Sequence, residues 1–483
     1  MILLHNRDRP SSAASWAWRR LMRFVVIFVC IAAFTALIWP TIEPQNPPMH
    51  QASNITISAD VKCELDESLL LKLEIKKLAD FTRREIVVDF TDEEVPMTQK
   101  LDQPLWDPSK GKGKSNDHTL MEQPQDGCSI PLPVSVKLPP KPAMADASHI
   151  DFGVATTVDR LNDSLNAFEH WAAYTRTRIF AMVEPDERIP LVQAKADAMG
   201  INLHVHVSED DYLRRYFALV PLLEKNMRPQ TKWGCIIDDD TFFLSMPALV
   251  KALGEYDHTQ PMYIGGISEG VPQIGVFGVM AFGGAGVFLS RPLVSDLVTV
   301  YDECQLMNFS GDRRIAYCIY QYTQTRLTID HRLRQLDLMV DASGFFEAGR
   351  VPPLSVHHWK SWFHADMTKL GVISSLCGDE CLLRQWHFSD GFILTNGFSV
   401  IRYSQMLEPG DLTMEMTWDG HNGAGLDMYL HELGPLRPRD DDKISYLLQD
   451  SEVDEITGRV TQWYIQRDTR RGDKVLELSW QKR

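Results

Sequence analysis

Residues 232–243 read KWGCIIDDDTFF. Trp233, Cys235, Ile236 and Ile237 make a short apolar run that stops at Asp238, Asp239 and Asp240. A run of this length ending abruptly in charge predicts a buried strand of a parallel sheet. Open α/β sheets bind ligands beyond the carboxyl ends of their strands, so the triplet stands where a ligand would be held. Three adjacent carboxylates repel one another and are costly to desolvate, which calls for positive charge among them. A hard divalent cation with oxygen ligands fits that need. The competing reading is an acidic cap for a helix opening at Thr241 or Ser245. The acids are contiguous, so the spaced pattern of an EF-hand loop is absent.

Upstream, strand and helix patterns alternate. Residues 149–157, HIDFGVATT, read as a strand, and Leu161, Leu165, Phe168 and Ala172 then recur at helical spacing. Residues 178–184 form a second strand pattern and residues 190–199 a helix stopped by Gly200. Residues 201–207 alternate as a third strand, and residues 209–228 read as a helix broken at Pro221. Three strand–helix pairs before a fourth strand predict an α/β fold with a doubly covered parallel sheet. No G-x-G-x-x-G follows the first strand, which disfavours a dinucleotide oxidoreductase. Walker A and G-x-S-x-G motifs are missing too.

Downstream, PMYIGGI (residues 261–267) reads as a strand. MAFGGAGVFLS (residues 280–290) is a glycine-rich turn entering another strand; Gly283, Gly284 and Gly286 suit either close approach to a ligand or a plain tight turn. GDRRIAYCIY (residues 311–320) reads as a helix whose Asp312 competes between a cap and a functional acid. PPLSVHHWKSW (residues 352–362) offers His357 and His358, and imidazole joins carboxylates around Mn2+-like ions. Beyond residue 376, alternation and turns predict an antiparallel β-rich accessory region.

The chain has 483 residues, 44% hydrophobic and 24% charged, with a formal charge of −16. Residues 1–23 carry five arginines against Asp8, so the acidity belongs to the rest. Such a body argues against nucleic acid as a partner. Residues 24–39 are sixteen residues without a charge, extended by Leu21 and Met22. They predict a signal anchor at 21–39, a cytosolic tail at 1–20 and a lumenal body, with a cleaved signal peptide as the alternative. Residues 40–147 read as stem and linker, with residues 60–95 open between a helix and strands and residues 103–146 as the linker, 148–375 as the catalytic domain and 376–483 as the accessory region. Residues 54–56 and 308–310 are glycosylation sequons. Of eight cysteines, Cys63 with Cys128, Cys304 with Cys318 and Cys377 with Cys381 are candidate pairs, the connectivity staying open because spacing does not fix it; Cys30 lies in the anchor and Cys235 mid-strand.

Taken in order, Thr156 and Thr157 after the first strand, IIDDDTF, MAFGGAGVFLS, GDRRIAYCIY and PLSVHHW resemble the fringe-like glycosyltransferases of glycosyltransferase family 31, closest to fungal type II membrane members. The resemblance spans roughly residues 149–362. It implies a GT-A nucleotide-sugar fold and an inverting, metal-dependent transfer from a UDP-sugar to a hydroxyl of a glycan or glycoprotein, with a β1,3 linkage, in the Golgi or secretory lumen. By that likeness Asp240 binds Mn2+ or Mg2+ directly, Asp238 and Asp239 contact the nucleotide sugar or position the ion, and a histidine, preferably His358 over His357, completes the ligands. Asp312 is implied as the base, Thr156, Thr157 and Glu184 as uridine contacts, and Gly283, Gly284 and Gly286 as pocket lining. Animal relatives carry adjacent acids where this chain has Gly311 and Asp312, so one carboxylate bears the base role. Two other readings compete: a metal-dependent phosphoester hydrolase, and a glycan-binding lumenal protein without catalysis.

Overall fold

The expected fourth strand lies at the centre of a mixed seven-stranded sheet. Its strands are β1 (Ile150–Ala155), β2 (Arg178–Val183), β3 (Leu203–Val207), β4 (Trp233–Ile237), β5 (Tyr263–Gly265), β6 (Val287–Ser290) and β7 (Leu327–Ile329), ordered β7-β5-β6-β4-β1-β2-β3. The computed structural model describes residues 55–106, 127–130, 132–309, 311–405, 407, 411, 413–418 and 433–483. The expected tail, anchor, Cys30 and Asn54 lie outside the described residues, as does Ser310 of the second sequon. Among the described residues no helix is long and apolar enough to cross a membrane.

β1 to β4 are mutually parallel, as their alternation with helices requires. The glycine-rich turn feeds β6, which runs antiparallel to β4 and to β5. Side chains alternate between faces: Ile179, Ala181 and Val183 of β2 enter one core cluster, Phe180 and Met182 the other. Helices α1 (Val158–Ala172) and α2 (Ile189–Ala198) contribute to the first cluster. Helices α3 (Tyr212–Asn226), α4 (Arg291–Thr299) and α5 (Gly311–Tyr322) contribute to the second. Both faces are thus covered. The expected break at Pro221 does not occur: α3 runs through it. An interior proline costs about 3 kcal/mol, and the neighbouring Leu219, Val220 and Leu223, all fully buried, supply the packing that offsets it.

The C-terminal strands are antiparallel as expected, joining Gln385–His387, Ile393–Thr395, Ser399–Arg402, Ile444–Val453, Val460–Gln466 and Asp473–Lys482. Much of the stretch read as stem differs from a linker. Its strand Lys77–Phe90 pairs in parallel with Asp473–Lys482, and Thr98–Lys100 pairs with Gln385–His387. Lys77–Phe90 buries Leu78, Phe81, Ile86 and Val88, an apolar content that a solvated linker would not carry. Ile55–Arg483 is one unit, and one apolar cluster runs from Phe152 and Trp171 through Phe346 and Leu370 to Trp386 and Trp480. The three candidate disulfides form, and Cys235 is a buried thiol.

Candidate active site

β1 and β4 are neighbours with Val154 opposite Ile237, so the residues leaving both strands meet at one sheet edge. The strand order reverses here, since β2 and β3 lie on one side of β1 and β4 on the other; this is where such sheets open a crevice. Asp238, Asp239 and Asp240 form a tight turn there. Thr241 N–H donates to the Asp238 carbonyl at 3.1 Å, and Asp238 N–H donates to Thr241 Oγ1 at 3.1 Å. The next helix, Met246–Leu253, is capped by Ser245, whose side chain accepts from Ala248 N–H. The triplet is therefore not a helix cap.

The three carboxylates have separate surroundings. Asp239 is buried and accepts from Arg160, Nε at 2.7 Å and Nη2 at 2.5 Å, and from the Thr156 hydroxyl. Ser164 Oγ donates to the Asp239 carbonyl at 2.6 Å. Asp239 is thus spoken for by α1 and the end of β1. Asp240 is buried, with His357 Nε2 at 2.9 Å. Burial pushes its carboxyl up, but the His357 hydrogen bond and the charges of His357, His358 and Arg160 outweigh this and hold it at about 2. Asp238 lies 3.4 Å from His357 Nε2; burial, reinforced by Asp312, Asp240 and Asp239, pushes its carboxyl up to about 7.

The glycine-rich turn forms the wall behind them. Gly283–Ala285 is a single 3-10 turn, and Gly286 follows at φ +96°, in the region that favours glycine. Thr241 Oγ1 donates to the Gly284 carbonyl at 3.0 Å, tying this turn to the triplet. A Cβ on Gly284 would stand 2.1 Å from His357 Nδ1, so only glycine leaves room for that ring. Asp312, in the first turn of α5, accepts from Gly283 N–H at 2.9 Å and from Arg313 N–H at 2.7 Å. Burial pushes its carboxyl up to about 6.

Among the described residues, Asp240, His357 and His358 offer ligand atoms that all lie within 4.8 Å of one another. A cavity of about 720 Å3 opens over them. Of the residues singled out in the sequence, Thr156, Thr157, Asp238, Asp239, Asp240, His357 and His358 line it; Asp312, Gly283, Gly284 and Gly286, the last three expected as pocket lining, do not. Thr157 also caps α1, accepting from Arg160 N–H at 3.3 Å. Glu184 does not line this cavity; it accepts from Arg215 Nη1 at 2.8 Å, and Arg215 lines it instead. Arg160, Tyr212, Arg215 and Lys360 are wall residues that sequence reasoning missed. Arg160 carried the one usable signal, a cation in the first turn of a helix opening beside an acid triplet.

Residues 169–362 match the family model described as Fringe-like. No curated protein matches the chain. Solved structures similar to it include the glycosyltransferase GlyE of Streptococcus pneumoniae TIGR4, at 12% identity and TM-score 0.29, covering 43% of this chain and 54% of that one. The mannosyltransferase PcManGT of Pyrobaculum calidifontis, in complex with GDP-Man and Mn2+, is 11% identical at TM-score 0.29, covering 44% and 63%. Mouse xyloside xylosyltransferase 1 is 10% identical at TM-score 0.27, covering 43% and 97%. The chain thus spans little more than half of the first of these proteins.

Proposed function

We propose, from the premise that residues 169–362 are a Fringe-like domain, that this chain is a GT-A glycosyltransferase. In this reading it moves a sugar from a UDP-sugar to a hydroxyl of a glycan or glycoprotein, inverts the anomeric centre, forms a β1,3 linkage and uses Mn2+ or Mg2+. The observation that carries it is the convergence of Asp240, His357 and His358 at the end of β4, with Asp312 joined to the same glycine-rich turn. The residues fit a divalent cation. His357 is buried and turns its Nε2 toward Asp240 and Asp238, and the carboxylate–imidazole set suits a first-row ion. The extra carboxylate of Asp238 enriches the site in oxygen, as Mn2+ and Mg2+ prefer. Asp240, His357 and His358 would hold the ion, with Asp238 beside them.

When bound, the ion supplies charge neutralisation of the departing diphosphate. Asp312 takes the proton of the acceptor hydroxyl as its oxygen bonds to the anomeric carbon and the bond to the diphosphate oxygen breaks. A single in-line displacement inverts that carbon, through an oxocarbenium-like state. Thr156 and Thr157 face the nucleoside, and Glu184 acts by steadying Arg215. Gly283 leaves room for the Tyr216 hydroxyl and Gly284 for the His357 ring. Asp239 shapes the triplet through Arg160 rather than touching the ion.

Incubating the full chain with Mn2+ and a panel of UDP-sugars tests this. UDP release that requires an acceptor is expected. Phosphate release from simple esters would instead make it a hydrolase, and donor or glycan binding without turnover would make it a binding protein.

The same reading places the body in the Golgi or secretory lumen, anchored by residues 21–39 as a type II membrane protein. The three disulfides support an oxidising compartment. On expression in a eukaryotic cell, the chain is expected in the membrane fraction and sensitive to removal of N-glycans. A soluble form starting near Pro40 would show a cleaved signal instead.

A further inference from the structure

The cation reading leaves a buried polar cluster without a role. His358 sits at φ +59°, a conformation that L side chains rarely adopt, and its ring stacks on Trp362 at 3.9 Å with 4° between planes. Its Nε2 lies 3.2 Å from Asp337 Oδ1. Asp337 is 7% exposed and is itself held twice: Ser268, fully buried, donates its hydroxyl to Oδ2, and the Asp337 N–H donates to Glu269 Oε2 at 3.3 Å. None of Ser268, Glu269 and Asp337 lines the cavity over the triplet.

We infer that Asp337, locked by Ser268, is a positioning residue for the cation site, acting through His358; this rests on the proposed metal-dependent reading. A carboxylate can only accept, so the proton of the neutral imidazole belongs on Nε2. That leaves Nδ1 as the ring's lone pair and the nitrogen available to an ion. Gln335 Nε2 lies 3.3 Å from the same His358 nitrogen; as placed that amide can only donate, and turning it over presents Oε1, an acceptor, to the Nε2 proton. Carboxylates that orient a ligating histidine fix its tautomer and raise its basicity, and their loss typically weakens metal binding by roughly 10–100-fold. Two restraints on one ring, the stacked indole and the buried carboxylate, also offset the cost of its strained backbone.

Titrating Mn2+ alone into the full chain, followed by calorimetry, tests the inference. Asp337→Ala is expected to weaken Mn2+ binding by roughly 10–100-fold, and Asp337→Asn, which keeps an acceptor oxygen, by less. In a His358→Ala background, Asp337→Asn is expected to add nothing, because it acts through the missing ring. Wild-type Mn2+ affinity in Asp337→Ala overturns the inference. Should Asp337→Ala not fold, an undiminished effect of Asp337→Asn in the His358→Ala background overturns it equally. Asp240→Ala keeps the two readings apart. If the wild type and Asp240→Ala bind Mn2+ equally weakly, the metal reading fails and this inference falls with it. If only Asp337 proves silent, the metal reading stands alone.

Discussion

Asp240→Ala is expected to lower sugar transfer by on the order of 10³-fold while the protein stays folded. Asp240 is the triplet carboxylate nearer His357 Nε2, at 2.9 Å against 3.4 Å for Asp238, and the one grouped with His357 and His358 as ion ligands. A bound divalent ion supplies several kcal/mol of charge stabilisation, and each ~1.36 kcal/mol is tenfold in rate. Asp239→Ala would be a different experiment, since it strands Arg160 and the Thr156 hydroxyl and perturbs the whole turn. Two measurements separate a lost ion from a lost fold. Circular dichroism of Asp240→Ala should match the wild type. Mn2+ should raise the melting temperature of the wild type, because a ligand of the native state stabilises it by mass action, and leave Asp240→Ala unmoved. Undiminished transfer by Asp240→Ala at saturating donor would falsify the role.

Asp312→Asn is expected to lower kcat by roughly 10²–10⁴-fold, the usual contribution of a positioned base, with little change in donor KM. The substitution is nearly isosteric, and its oxygen can still accept from Gly283 N–H, so the glycine-rich turn should keep its place. In the wild type, burial raises the Asp312 carboxyl to about 6. A base must be ionised, so kcat/KM should rise with pH through about 6 and level off above it. Below that value the rate should fall about tenfold per pH unit, and the acid limb should vanish from the residual rate of Asp312→Asn. A flat profile between pH 5 and 8 in the wild type would assign the base elsewhere.

Both predictions begin from residues that sequence reasoning had already gathered, and the reason is local. An apolar run ending in three acids, helices with period 3.6 and a glycine-rich turn each carry their physics within a dozen residues. β4, the helix of Asp312 and the histidine pair were legible for that reason. The three candidate cysteine pairs form, but their connectivity was not legible, since spacing leaves many pairings open and only the fold brings the partners together. Pro221 misled because a local penalty was read without the buried Leu219 and Val220 that outweigh it.

The sequence by itself determined the alternation of strands and helices, the side of the sheet on which the acids emerge, and the acidic body that disfavours nucleic acid. Only the tertiary structure decided that Asp239 belongs to Arg160, that Glu184 reaches the cavity through Arg215, and that Asp337 stands behind His358. It also decided that Lys77–Phe90, read as stem, pairs with the final strand of the chain. These are contacts between segments far apart along the chain. No periodicity or cap announces a distant partner, because the energy that selects it is the burial and hydrogen bonding gained only once the two segments meet.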